Sequence, residues 1–342
     1  MVSIATPVLL LWLACSAIPC FANEKSESKG IHVICWNLSG HCDDLKSTVE
    51  KMLDLDYVSG LLLYVDWRQF EPERGGYQWE LFEIPLEAAE KRDKTISLAL
   101  MVCARSPDWV MQKTETFAFR HIHPSVGDVT APVPWNADYT DALYKTVAAV
   151  GARLDGHKGL RYVSINGPST LFGVETNFPI ASIAEHEANK VAFSLDKYER
   201  YWKESIDHFI DCFPKTPLAL GLHDQISPKP RNSEQDVAVA KAIRNYAIEQ
   251  ERSKNGKRIV LRLLGLGSDN PKYFPGPYQG DPSILNDYLS LVWEVREHVA
   301  VAFEATRVFR NSNAGDRKPL SAEDFGRVLQ NGISYSPDWI EI

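Results

Sequence analysis

Eight short runs rich in leucine and β-branched residues alternate along this chain with seven longer stretches whose apolar positions recur at helical spacing, and this rhythm constrains the fold more than anything else in the sequence. The runs are "IHVICWNL" (31–38), "GLLLYVDW" (60–67), "TISLALMVC" (95–103), "LRYVSIN" (160–166), "PLALGLH" (217–223), "RIVLRLLGLG" (258–267), "VAVAFEATR" (299–307) and "ISYSPDWIEI" (333–342). The stretches between them cover 43–55, 79–93, 139–156, 196–213, 237–251, 283–298 and 322–332. In the first of these, Leu45, Val49, Met52 and Leu53 fall on one helical face.

Eight strands separated by seven helices is the count expected of a (β/α)8 TIM barrel over residues 31–342, with the helix that would follow the last strand missing. An open doubly wound sheet would place a glycine fingerprint at its first βα turn. That turn, "WNLSGHCDD", has no G-x-G-x-x-G. The long connections at 104–138, 167–195, 224–236 and 268–282 all follow strands, so function is expected on the strand C-terminal rim. With 44% hydrophobic residues in 342 positions, one large core is affordable without a second domain.

The first residues stand apart. "PVLLLWLACSAIPCFA" is apolar, too short to span a bilayer comfortably and closed by small residues, so 1–22 read as a secretory signal cleaved after Ala22, followed by a short tail at 23–30. An uncleaved anchor is the alternative, since no Lys or Arg precedes Lys25. The expected location is secreted or periplasmic, with no membrane contact after cleavage. Of the six cysteines, Cys35, Cys42, Cys103 and Cys212 remain in the mature chain, and Cys35 and Cys42 are close enough in sequence either to pair or to stay buried thiols. Neither CxxC nor HExxH occurs, so no metal or cofactor is expected. The net charge of -8 is spread along the chain, which argues against nucleic acid as a partner.

Polar and aromatic residues at strand C-terminal ends converge over a barrel mouth. Here they are Trp36 and Asn37, Asp66 and Trp67, Arg105, Asn166, His223 and Asp224, Arg262, Glu304 and Arg307, and Trp339 and Glu341. A glutamate inside the apolar run "VAVAFEATR" needs either an ion-pair partner such as Arg262 or Arg307, or a chemical task.

The stretch 66–110 places Trp67 at a strand end, then Glu71-Pro72, Gly75, Tyr77 and Trp79, and finally Pro107 and Trp109. In this order it resembles the second and third β/α units of TIM-barrel glycoside hydrolases of the β-galactosidase and cellulase-like clan. The resemblance implies a nucleophilic carboxylate at the end of strand seven, which is Glu304, and an acid/base at the end of strand four. There the clan's Asn-Glu is replaced by Asn166-Gly167. Glu175, nine residues beyond Asn166, is either a solvated loop residue or the missing acid, brought in by a loop that folds back. A glycosidase would then keep Glu175 protonated and Glu304 ionised, with Arg262, Arg307 and His223 steadying the latter. Trp36, Trp67, Trp109 and Trp339 would offer faces to an oligo- or polysaccharide, helped by Asp66, Arg105, Asn166 and Asp224, and Glu71 reads as holding its own loop. Two other readings stand beside this one. The first is a barrel that binds carbohydrate without cleaving it. The second is a metal-dependent hydrolase built on His121, His123, His223 and Asp224.

Overall fold

The computed structural model of the chain describes residues 30–36, 44–120, 127–169, 172–178, 183, 185–223, 226, 234–254, 259–266, 287–305, 309–311, 317–319, 321–335 and 337–342. Twelve strands are present among them: β1 (Ile31–Trp36), β2 (Val58–Asp66), β3 (Thr95–Met101), β4 (Thr116–Arg120), β5 (Asp128–Pro132), β6 (Leu160–Ser164), β7 (Leu218–Leu222), β8 (Val260–Leu264), β9 (Ala300–Glu304), β10 (Phe309–Asn311), β11 (Arg317–Pro319) and β12 (Trp339–Glu341). Eight of them close into a barrel in the order β1-β2-β3-β6-β7-β8-β9-β12, and all of its pairings are parallel. The expected (β/α)8 TIM barrel is therefore the observed fold.

Side-chain alternation along each strand splits the apolar residues into two sets, as the period of two requires. Leu62, Tyr64, Ala99, Met101, Tyr162, Ala219, Val260, Ala302 and Trp339 pack together inside the barrel. Their sequence neighbours Leu61, Leu63, Leu98, Leu100, Val163, Leu218, Leu220, Leu261, Val301 and Phe303 pack outward against the helices. A continuous apolar run is what a strand covered on both faces demands.

The helices occupy the expected stretches, including Leu45–Leu53, Glu80–Glu90, Ala137–Leu154, Leu195–Cys212, Glu234–Lys254 and Ala322–Ser334. Their starts are set by short polar side chains that accept otherwise unpaired backbone N–H groups. Asp44 accepts from Ser47, Asn136 from Asp138 and Tyr139, Ser194 from Lys197, and Ser321 from Asp324.

Two details differ from the sequence reading. The loop at 104–138 contains an antiparallel hairpin, β4 with β5, in which Phe117 and Phe119 turn into the outer core. Residues 333 and 334 complete the last helix instead of opening strand eight, so β12 is only Trp339–Glu341. The helix capped by Ser321 runs on until Tyr335, whose ring lodges 5.5 Å from Trp293 and 6.0 Å from Phe303, and the strand restarts only beyond Pro337. Cys35 is a buried free thiol, with Sγ 3.7 Å from the Val33 carbonyl and 3.8 Å from the Met52 sulfur, and burial pushes it up to about 12. Cys42, like the expected signal at 1–22, lies outside the described residues.

Short as it is, β12 closes the ring. Ile34 N–H donates to the Ile342 carbonyl at 2.7 Å, Ile342 N–H to His32 at 2.8 Å and Ala305 N–H to Glu341 at 2.7 Å. Removing residues 339–342 opens both seams and strips a buried arginine of a carboxylate, a loss worth about 3–5 kcal/mol by itself. The truncated protein is expected to lose its cooperative thermal transition by circular dichroism, and an unchanged melt would contradict this account of closure.

Candidate active site

Glu304 is the last residue of β9, pairs with Glu341 on β12 and Leu264 on β8, and turns into the barrel with Ala302 below it. Tyr64 Oη on β2 donates to its Oε2 at 2.8 Å, and Arg262 Nη2 on β8 donates to the same oxygen at 2.5 Å. The guanidinium is shared. Arg262 Nε reaches Glu341 Oε2 at 2.9 Å, while Glu341 Oε1 accepts from Trp339 Nε1 at 3.0 Å and from the Tyr162 hydroxyl. Arg262, Glu304 and Glu341 are all buried.

Glu175 reaches the same place by an indirect route. Ser164 pairs with Ala219 in the β6–β7 ladder, and Glu175 then bridges in parallel to Gly221, the inward position two steps higher. Asn166 would have held that place. The chain instead leaves β6 after Asn166 and comes back, its detour closed where Gly167 N–H donates to the Gly173 carbonyl at 2.9 Å. Asn166 Nδ2 clamps this closure by donating to Leu100 O at 2.7 Å and Gly173 O at 3.4 Å. Thr176 N–H donates to Gly221 O at 3.0 Å, and Val102 N–H donates to Phe172 O at 2.8 Å, which ties the returning segment to both sides of the mouth. A Cβ on Gly221 would stand 2.4 Å from the Val174 carbonyl, so glycine there is what admits the segment.

The two carboxyls have different surroundings. Burial, and after it the Glu304 charge, push Glu175 up to about 8 against the opposing pull of Arg262. Asn177 Nδ2 gives Glu175 a neutral hydrogen bond at 3.2 Å. Burial also raises Glu304, to about 7, while Arg262 and the Tyr64 hydroxyl hold it down and Glu341 works against them. One guanidinium faces three carboxyls, so near neutrality Glu175 keeps its proton as Glu304 loses one.

Of the other expected site residues, Trp36 lies at the rim. It is 43% exposed and stacks on Tyr64 with ring centroids 4.3 Å apart and 10° between planes. Phe172 meets it edge-on at 5.4 Å, Arg105 Cζ lies 5.6 Å from the Phe172 ring, and Arg105 is paired at 3.6 Å with buried Asp66. His223 N–H donates to Thr176 Oγ1 at 2.8 Å, so that backbone anchors the Glu175 segment. Asp224, Arg307, His121 and His123 fall outside the described residues.

Four residues expected at the cleft make contacts within the fold. Trp67 has 0% exposure and packs in the outer core against Trp109 and Tyr139, because its strand ends at Asp66 and position 67 starts a short helix. Glu71 holds that corner together, accepting from Trp67 Nε1 at 2.9 Å, Gly75 N–H at 2.8 Å and Thr146 Oγ1 at 2.5 Å. Trp109 donates to the Glu71 carbonyl at 3.0 Å and covers Trp67. Trp339, at the start of β12, lies inside the barrel below the mouth, with its ring under Arg161 at 4.0 Å. Asn166 is buried by its clamp, as described above.

The sequence reading missed Tyr64, Tyr162 and Phe172 and left Glu341 without a role. Inward parity was the available signal, since Tyr64 stands two residues before Asp66 and Tyr162 two before Ser164. Among the described residues no cluster of three His, Cys, Asp or Glu could hold a metal ion, and no helix is long and apolar enough to cross a membrane.

Gly221→Ala tests the return path. It is expected to cost about 1–3 kcal/mol by crowding and to expose Glu175, which a denaturation curve and a pH titration of that carboxyl would detect; an unchanged Glu175 would refute the fit.

No family model and no curated protein matches the sequence. Solved structures do match the fold. An endo-β-1,4-xylanase of glycoside hydrolase family 10 from Gloeophyllum trabeum aligns at a TM-score of 0.55 and 11% identity, over 93% of this chain and 84% of that one. Xylanase 10B from Thermotoga petrophila, in complex with xylobiose, aligns at 0.52 and 12%, over 91% and 81%. The exo-β-1,4-mannosidase Op5Man5 from an Opitutaceae bacterium aligns at 0.53 and 13%, over 92% and 51%. At such identities the likeness establishes a shared TIM-barrel architecture, in these cases one used by glycoside hydrolases.

Proposed function

We propose that this chain is a glycoside hydrolase in which Glu175 donates a proton to the leaving oxygen and Glu304 serves as the ionised carboxylate. One observation carries the reading: two buried carboxyls stand at the mouth end of a barrel, one held by a guanidinium and a phenol, the other raised by burial and by the charge of the first. Unequal environments of this kind are how a glycosidase divides acid and base work between two like groups. Glu175 gives its proton to the glycosidic oxygen as that bond breaks. Glu304 then either bonds to the anomeric carbon, to be displaced later by water, or takes a proton from the water that attacks in its place. The stereochemistry of the first product, read by NMR, separates these two courses. The exposed face of Trp36 offers apolar area to the C–H surface of a sugar, and an oligo- or polysaccharide is the substrate class that suits it. Secretion or periplasmic export after loss of residues 1–22 belongs to the same proposal, supported by the apolar leader, and N-terminal sequencing of the mature protein tests it.

Glycoside panels assayed with purified protein test the activity. Glu304→Gln is expected to cut turnover by about three orders of magnitude or more with little change in melting temperature, since shape is kept and a transition-state charge is lost. Glu175→Gln is expected to fail most with poor leaving groups, which depend on protonation. Oligosaccharide binding without cleavage by the wild-type protein would assign the barrel to binding alone.

The pH dependence follows from the same two groups. Activity needs Glu304 ionised and Glu175 protonated, so kcat/KM should form a narrow bell with limbs near about 7 and about 8 that belong to the coupled pair. Stability moves in one direction only. Both carboxyls bind protons more tightly folded than unfolded, so their contribution is complete below the ordinary value of 4.5 and is lost as pH rises through about 7 to about 8. The melting temperature should fall across that interval, less steeply in Glu175→Gln, and a wild-type melt that rises there would contradict the assignment.

A further inference from the structure

The guanidinium that meets Glu304 is held from its other side by a carboxylate that cannot reach a substrate. Glu341 Oε2 accepts from Arg262 Nε at 2.9 Å and forms an ion pair with Nη2 at 2.9 Å, and its Oε1 accepts from Trp339 Nε1 and the Tyr162 hydroxyl. Every one of these partners is a donor, the environment of an anionic carboxylate and not of a carboxylic acid. Glu341 has no exposed surface, and these four contacts occupy both of its oxygens. It can act on Glu304 only through Arg262 and through its own charge.

We propose that Glu341 is a positioning residue which, braced by Tyr162 and Trp339, divides the charge of Arg262 between two carboxylates and so keeps Glu304 from being locked in a closed ion pair. The proposal rests on the reading of Glu304 as the reactive carboxylate. A lone buried arginine paired with a lone glutamate would be a quenched couple, its carboxylate a weak base and a weak nucleophile. With Glu341 drawing on the same Nη2, one positive charge serves two negative ones and Glu304 stays incompletely compensated. Around Glu304 the charged and titratable groups are Tyr64 from β2, Arg262 from β8, Glu341 from β12 and Glu175 from the returning segment at 172–178. Of these, Arg262, Tyr64 and Glu175 each act on Glu304 directly, by contact or by charge, whereas Glu341 both repels it and competes for its counterion.

The experiment is a 13C-carboxyl NMR titration of glutamate-labelled protein, run beside the pH profile of hydrolysis. In Glu341→Gln the Glu304 resonance, assigned by its loss in Glu304→Gln, is expected to titrate about one pH unit lower, and the acid limb of kcat is expected to move down with it. At neutral pH kcat should fall about tenfold with KM little changed, as a less basic carboxylate would give. Tyr162→Phe, which removes one donor from Glu341 and leaves its charge in place, should move the Glu304 titration the other way by a few tenths of a unit. This second variant decides the matter should Glu341→Gln fail to fold. A Glu304 titration unmoved in either folded variant overturns the proposal, because a merely structural Glu341 would alter the melt and leave the titration alone. If the resonance shifts as expected while no glycoside is cleaved by the wild-type protein, the positioning role stands and the hydrolase reading falls.

Discussion

Arg262 is the constraint around which the barrel interior is organised. A guanidinium with no contact with water is tolerated only when its charge is met, and here Glu304, Glu341 and the Tyr64 hydroxyl, from three different strands, take its Nε and Nη2, while Nη1 has no hydrogen-bond partner among the described residues. Those strands are far apart in sequence, so satisfying the arginine requires the barrel to be closed. Replacing the set by hydrocarbon would stabilise the fold at least as well by general experience with buried ion pairs. Its retention in the upper half of the barrel, directly beneath the mouth, fits a site more readily than a scaffold.

The second constraint is spatial. The loop after β6 places a carboxyl over the mouth only because Gly221 lets one backbone pass within reach of another, and Gly173, at a φ of 73°, takes a left-handed turn beside Val102 that a side chain would resist. Asn166 and the backbone of His223 then fix the returning segment from either side. Burial of the delivered carboxyl follows from this fit, and its retained proton follows from burial. Geometry and the largest influence on the acidity of Glu175 therefore share a cause, to which the Glu304 charge adds.

The aromatic residues divide by depth. Trp67, Trp109 and Tyr139 build an outer corner locked by Glu71, while Trp36 stands on Tyr64 with its far face open, and Tyr64 in turn hydrogen-bonds Glu304. One stacked ring separates the exposed platform from Glu304. A ligand resting on Trp36 would thus be placed by the ring whose hydroxyl holds Glu304.

The sequence by itself determined the barrel, because eight apolar runs at βα spacing with helical stretches between them have few other ways to bury both faces of a parallel sheet. It also marked Glu304 as a buried glutamate that needs either an ion-pair partner or a chemical task, since it lies within an apolar strand. Short signals limited the rest: β12 is a three-residue strand whose preceding residues read equally as strand or helix, and only Tyr335 docking between Trp293 and Phe303 decided where the helix ended. Which tryptophans face solvent, whether Glu175 comes back to the mouth, and that Tyr64, Tyr162 and Glu341 share one arginine were decided by tertiary structure alone. Local pattern fixes which face of a strand a residue takes, whereas depth along the barrel and contact across it depend on register between strands as much as 240 residues apart, as for Tyr64 and Glu304.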